Sequence, residues 1–223
     1  MALSLKKSPL EYKKVQHFIS KFVRGNRLGM RKNRLSGKEY LDVGCEYIVH
    51  DNFINLDYMW HPRLDMCWDV TNKIPLPDTS LKGIYTEHCL EHISIYEMDD
   101  VLKDFYRLLK PGGTVRIIVP SGTVYLNAYI DRHMKGAETP FPYEFQDPVE
   151  EGFYTPMMSL NRIMRKWGHQ FIYDYETLEL MLAKNGFVDI KQESYREGRD
   201  PELLMDTDWR ADKSLIAEAS KPL

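Results

Sequence analysis

Three cysteines, Cys45, Cys67 and Cys89, are all the chain carries, an odd number without paired metal-site spacing. That fits a reducing compartment better than a disulfide framework. No apolar run approaches the roughly 20 residues needed to span a bilayer, and the first residues lack the apolar stretch of a signal peptide. No membrane is therefore expected, and a cytoplasmic location is. The net charge of −3 predicts no general attraction to nucleic acid or to an anionic surface. Acidic residues are missing from Lys13 to Lys38, a stretch holding Arg24, Arg27, Arg31, Lys32 and Arg34 among its bases. Aromatic residues are missing from Asn26 to Glu39, where a nucleic-acid surface needs stacking groups. The basic segment therefore reads as a solvated helix face and linker, and nucleic acid is not the expected partner.

What remains is a chain of 223 residues and 26.3 kDa, 43% hydrophobic, large enough to bury a substantial core as one domain with an elaboration. Residues 9 to 24 place Leu10, Tyr12, Val15, Phe18, Ile19 and Phe22 at mostly helical spacing behind Ser8 and Pro9. Two short runs rich in strand formers come next, Tyr40-Leu41-Asp42-Val43-Gly44-Cys45 and Phe53-Ile54-Asn55-Leu56-Asp57. In an open α/β sheet, ligands sit beyond the carboxyl ends of the strands. There a glycine lets backbone approach a cofactor, and the next strand's acid can take a ribose diol. The two runs together propose a nucleoside cofactor. Only Gly44 to Asn52 separates them, so the first crossover helix is expected to be a turn or two at most. Leu64–Trp68 leads to Asp69 and a proline-punctuated loop, and Lys82–Glu87 reads as the fourth strand. A helix is expected over Glu97–Leu109, from the spacing of Met98, Val101, Leu102, Phe105, Leu108 and Leu109, ended by Pro111-Gly112-Gly113.

The run Arg107-Leu108-Leu109-Lys110-Pro111-Gly112-Gly113, leading into Thr114-Val115-Arg116-Ile117-Ile118-Val119-Pro120, resembles the helix-to-strand-5 hallmark of class I, Rossmann-like S-adenosylmethionine methyltransferases. Leu90-Glu91-His92 stands where that family often ends strand 4, and Asp42, Asp57 and Asp69 occur in the family's order. The glycine-rich turn departs from the pattern, because Glu46 replaces its second glycine. The resemblance implies an α/β fold with a mostly parallel sheet, an antiparallel C-terminal edge, shortened first crossovers and an inserted lid. It divides the chain into an N-terminal helix and basic linker (1–36), an S-adenosylmethionine-binding core (37–120), an insertion (121–168) and the C-terminal part of the core (169–223). By resemblance, Asp42, Gly44 and Cys45 shape the methionine site, Asp57 and Tyr58 meet the ribose, and Asp69 with Val70 faces adenine. Glu87 and His88 then border the reactive sulfonium.

The insertion carries Tyr125, Tyr129, His133, Phe141, Tyr143, Phe145, Phe153 and Tyr154, which suit an organic acceptor held away from water. Tyr125, Tyr129 and Arg162 are candidate acceptor contacts. Imidazoles that are neutral at cellular pH make His88, His92, His133 and His169 candidate bases, His92 ranked last because the resembled family often carries histidine there for packing. The expected activity is methyl transfer to a small molecule, with oxygen of a sugar or another hydroxylated metabolite as the leading acceptor. A homo-oligomer stays open. Two alternatives stand beside it. One is a methyltransferase fold kept for binding or scaffolding with its chemistry lost, which Glu46 and the shortened crossover would explain. The other is a zinc hydrolase on His88-Cys89-Leu90-Glu91-His92, which matches H-x-x-E-H but would need a third ligand and a helix facing a cleft, whereas the motif follows a strand. No metal is expected under the methyltransferase resemblance. Asp174 is expected to cap a helix through Lys184, two final strands are expected at Phe187–Ile190 and Ser214–Ala219, and Glu193 to Asp212 reads as a solvated loop.

Overall fold

A computed structural model of the chain describes residues 9–136 and 155–223, with side chains from Val15 onward. Phe141, Tyr143, Phe145, Phe153 and Tyr154, expected over the cleft, lie outside the described residues, as do the side chains of Leu10 and Tyr12.

The described strands form one sheet: β1 (Tyr40–Val43), β2 (Phe53–Asp57), β3 (Met66–Cys67), β4 (Leu81–Glu87), β5 (Leu109–Pro120), β6 (Val188–Gln192) and β7 (Ser214–Ser220). Their order is β3-β2-β1-β4-β5-β7-β6. The first five run parallel, and β7 lies antiparallel between β5 and β6. The expected α/β class and antiparallel C-terminal edge are thus present. Strand order reverses between β1 and β4, and their carboxyl ends open the crevice where such sheets bind ligands.

Six α-helices are present among the described residues: α1 (Pro9–Val23), α2 (Lys32–Leu35), α3 (Ile95–Leu108), α4 (Gly122–Met134), α5 (Pro156–Arg165) and α6 (Tyr175–Lys184). α3 buries Met98, Val101, Leu102, Phe105 and Leu108, and α6 buries Leu178 and Leu182; both join Val115, Ile117 and Val119 of β5 in the main core. The helix predicted over Glu97–Leu109 starts earlier, at Ile95, because the Ser94 hydroxyl accepts the Tyr96 N–H. Lys110 to Gly113 belongs to β5 instead of a separate turn. Gly112 N–H donates to Lys221 O and Lys221 N–H to Gly113 O, which draws the segment against the end of the chain.

No helix forms between β1 and β2. The connection is a set of turns in which Gly44 (φ 80°) and Glu46 (φ 47°) both adopt left-handed backbone. α1 covers it. Gln16 and Ser20 are buried, Trp60 N–H donates to Ser20 Oγ, Gln16 Nε2 donates to Trp60 O, and the Tyr47 hydroxyl donates to Gln16 Oε1. An N-terminal helix thus covers what a crossover helix would.

The opposite face of the sheet, at Phe53, Tyr85, Ile118 and Ile216, is covered by Leu203 from the segment predicted to be a solvated loop. Arg116 explains the difference. It stands mid-strand in β5, fully buried, and all five of its N–H donors are used. Nε donates to Asp206 Oδ1 (2.7 Å) and Nη2 to Asp206 Oδ2; Nη1 donates to Glu218 Oε1 (2.7 Å) and Glu197 O (2.9 Å), and Nη2 also to Ser194 O (3.3 Å). Gly198 lets the chain pass here, since a Cβ would stand 2.1 Å from Glu218 Oε1.

Arg116→Met leaves Asp206 and Glu218 buried without their cation, and is expected to lower stability by about 3–5 kcal/mol in urea unfolding. Glu46→Gly relieves a left-handed conformation costing about 1–2 kcal/mol, against a glycine penalty of about 0.5–1 kcal/mol. Its urea midpoint is expected at or above that of the parent.

Candidate active site

The carboxyl ends of β1, β2 and β4 meet around Gly44, Asp57 and Glu87. Gly44 must be glycine for two reasons: its φ is positive, and a Cβ would lie 2.6 Å from Cys89 Cβ. Beside it Glu46 N–H donates to Asp57 Oδ2 (2.9 Å), and Met59 N–H donates to Asp57 Oδ1 (2.6 Å). Burial pushes the Asp57 carboxyl up from its usual range. Asp42, buried in β1, is pushed up further by burial and by the charges of Asp57 and Glu87. Glu87 is held by Thr207, whose hydroxyl (2.5 Å) and N–H (3.1 Å) both donate to it, and by the Tyr85 hydroxyl (3.1 Å).

Arg210 enters from the segment tied down by Arg116. Its guanidinium lies 3.9 Å from both Glu46 and Glu87, and its buried Nε has no hydrogen-bond partner. Trp209 stacks against it, 4.5 Å from the guanidinium carbon. Arg210, Trp209 and Glu46 border two hollows. The smaller, about 90 Å³, contains Asp42, Gly44, Cys45 and Glu87; the larger, about 740 Å³, runs from Asp57 and His88 to Arg162, Trp167 and His169.

The far wall of the large cavity is a cluster of imidazoles around Glu91. His88 has left-handed backbone (φ 50°) and pairs through Nε2 with Ser214 Oγ (2.8 Å). Because that hydroxyl already donates to Arg210 O, it accepts from His88, leaving Nδ1 as a lone pair 3.7 Å from Glu91 Oε1. His169 Nδ1 donates to Ile163 O (2.6 Å), which leaves Nε2 as a lone pair 3.8 Å from the same oxygen. Burial, chiefly, lowers His88 to about 3 and His92 to about 4, lowers His169 as well, and raises Glu91 to about 8.

Of the residues singled out in the sequence, the two hollows bring together Asp42, Gly44, Cys45, Asp57, Glu87, His88, Arg162 and His169. The others lie elsewhere. Tyr58 stacks under the Arg24 guanidinium at 3.2 Å. Asp69 is turned back on its own loop, accepting from Thr71 N–H and Oγ1, and Val70 borders a separate hollow with Asp104 and Arg107. Tyr125 is buried in a satellite core with Ala128, Leu160 and Ile163, against which Tyr129 packs, and His133 is exposed with its ring 4.4 Å from that of Tyr129. The H-x-x-E-H pattern does not form the paired helical histidines of a zinc protease. His88 is left-handed and His92 ends a single 3-10 turn, so the two do not share a helix face. Arg210, Trp209, Thr207 and Tyr47 are absent from the sequence candidates. The only local signal for them was a tryptophan among charges.

The model of the methyltransferase-domain family matches residues 52–117. Comparison with curated proteins finds no match. Among solved structures, a methyltransferase of Archaeoglobus fulgidus described as dependent on S-adenosylmethionine aligns with TM-score 0.48 and 17% identity, over 96% of this chain and 95% of that one. Phosphoethanolamine N-methyltransferase 2 of Haemonchus contortus, in complex with S-adenosyl-L-methionine, aligns with TM-score 0.48 and 15% identity over 96% of this chain and 59% of its own. A possible histamine N-methyltransferase of Thermotoga maritima aligns with TM-score 0.48 and 13% identity over 95% and 96%. The family match across β2 to β5, the parallel sheet closed by an antiparallel β7, and the glycine turn facing an acid on the next strand converge. Residues 52–117 thus match the methyltransferase-domain family, on an α/β sheet with the antiparallel C-terminal edge that the sequence resemblance implied.

Proposed function

We propose that this protein transfers the methyl group of S-adenosylmethionine to an oxygen of a small hydroxylated acceptor, a sugar or a metabolite of similar polarity. The carrying observation is the cavity of about 740 Å³ that continues from the cofactor rim at Glu46, Asp57 and His88 to a wall of neutral imidazoles. Its size is within the roughly 300–1,000 Å³ usual for small-molecule sites. Half-exposed Tyr47, Trp167 and Trp209 line it, and flat aromatic faces suit the apolar face of a sugar ring.

The residues present fit the cofactor. Gly44, at positive φ, lets the turn close against Cys89 and stand beside Asp57, and Asp57 keeps acceptor capacity on both oxygens for ribose hydroxyls after taking two N–H groups. The Arg210 guanidinium, with an unpartnered buried nitrogen and no hydrogen-bonded carboxylate, suits the cofactor's own carboxylate. When bound, the cofactor supplies an electrophilic methyl carbon on a sulfonium. The chain's tasks are then to align the acceptor with that carbon, to exclude water, and to take the hydroxyl proton. His88 Nδ1 keeps a lone pair for it. His133 and Tyr129 have no place in this mechanism.

Calorimetric titration with S-adenosylmethionine is expected to show one site, and Asp57→Ala to weaken it by about 1–3 kcal/mol, the cost of unpairing buried polar groups. No heat at millimolar ligand would overturn the cofactor assignment. Incubation with methyl-labelled cofactor and a panel of free and nucleotide-linked sugars is expected to yield a labelled methyl ether. Label recovered only on amines or on nucleic acid would overturn the acceptor class.

A further inference from the structure

Two segments far apart in sequence are tied together at the far wall of the large cavity. Gln170 and Phe171 N–H both donate to Glu91 O (2.7 and 3.2 Å), and Gln170 Nε2 donates to His92 O (2.7 Å). This sets the rings of His92 and His169 edge to face with centroids 4.8 Å apart. It also brings one ligand atom each from Glu91, His92 and His169 to within 4.8 Å of one another. The Glu91 side chain is 1% exposed and borders the cavity, yet neither of its oxygens has a hydrogen-bond partner. A buried carboxyl left in that state is costly, and such groups are normally paired or bound to a metal.

We propose that Glu91, His92 and His169 bind a first-row divalent cation, with Zn²⁺ as the type, on the wall of the large cavity. The donor set of two imidazoles and one carboxylate is that of open zinc sites. The tautomer is already set for it: His169 gives its Nδ1 proton to the Ile163 carbonyl, which is the outer hydrogen bond that orients a metal-binding imidazole. Ligands at about 2.0–2.2 Å from zinc stand roughly 3.5 Å apart, so modest side-chain rotation closes the cluster on an ion. His88 Nδ1 lies 3.7 Å from the same Glu91 oxygen and is not among the three ligands. The position left open faces the cavity and takes water or an acceptor oxygen. That last role rests on the proposed function, whereas the cation site does not.

The test uses the purified chain without a histidine tag, stripped by chelator and dialysed against Zn²⁺ or Co²⁺. One equivalent of bound metal is expected, with Co²⁺ showing the visible absorption of a nitrogen- and oxygen-bound ion. His169→Ala, His92→Ala and Glu91→Gln, each checked for folding by circular dichroism, are expected to lose affinity by roughly 100-fold or more, at least the loss typical of an outer-sphere partner. His133→Ala, at an exposed position of α4, keeps it. Absence of stoichiometric metal in the parent, or parental affinity in folded His169→Ala and His92→Ala, overturns the proposal. If Glu91→Gln does not fold, the two histidine variants decide. S-adenosylmethionine titration of the same samples separates the two ideas: lost cofactor binding with retained metal overturns the methyltransferase mechanism and upholds the cation site.

Discussion

The Arg116 guanidinium is the interaction on which the site depends. A charge at the centre of β5 is tolerated because Glu218 stands opposite it in the register of β7 and Asp206 grips it from the crossing segment. An uncompensated ion there would cost several kcal/mol, so the segment must lie against the sheet for the sheet to be stable. Thr207, Trp209 and Arg210 come directly after Asp206 in the chain and are therefore delivered to the carboxyl ends of β1 and β4. A buried ion pair on one face of the sheet thereby builds half of a site at its edge.

That edge collects acids. Asp42, Asp57, Glu87 and Glu91 all border the two hollows, and Arg210 is the one arginine among the described residues within 4 Å of a carboxylate there. Burial and mutual repulsion push Asp42 up, and burial pushes Asp57 and Glu91 up, so each carries less charge than its type suggests. The pattern is electrostatically suited to a ligand that is cationic over most of its reactive end and anionic at a single carboxylate. A sulfonium with an amino acid tail has that distribution.

The strand framework was legible because its signals are local. β1, β2 and β4 are short apolar runs, the latter two ending in Asp57 and Glu87 at the rim, and α3 and α6 repeat apolar residues at helical spacing before a break. Gly44 and Asp57 were found this way and stand side by side. Arg210 was not, because what positions it is a contact between Arg116 and Asp206, 90 residues apart in sequence. The same applies to the Glu91 cluster. His92 and His169 meet only because Gln170 bonds across 78 residues to the turn that carries Glu91. Periodicity says which face of an element is buried, not which distant segment will cover it. Asp69 has the expected order in the chain, but it lies outside the two hollows and its Oδ1 accepts from Thr71 two residues on, as aspartates in turns often do.

Glu46 looked like damage to the glycine-rich turn and a reason to consider lost chemistry. Its backbone does what the missing glycine would do, turning left-handed at φ 47° and sending its N–H to Asp57. The function of that position is carried by the main chain, and glycine is only the least strained residue to place there. The side chain is 64% exposed and leans toward Arg210 at 3.9 Å without a hydrogen bond. An exposed pair at that distance is worth well under 1 kcal/mol, too little to hold Arg210 against a ligand carboxylate that can meet its guanidinium at hydrogen-bond distance. Glutamate at this position therefore leaves the turn and the acid it supports in place, and its side chain is by itself no reason to expect a fold emptied of its chemistry.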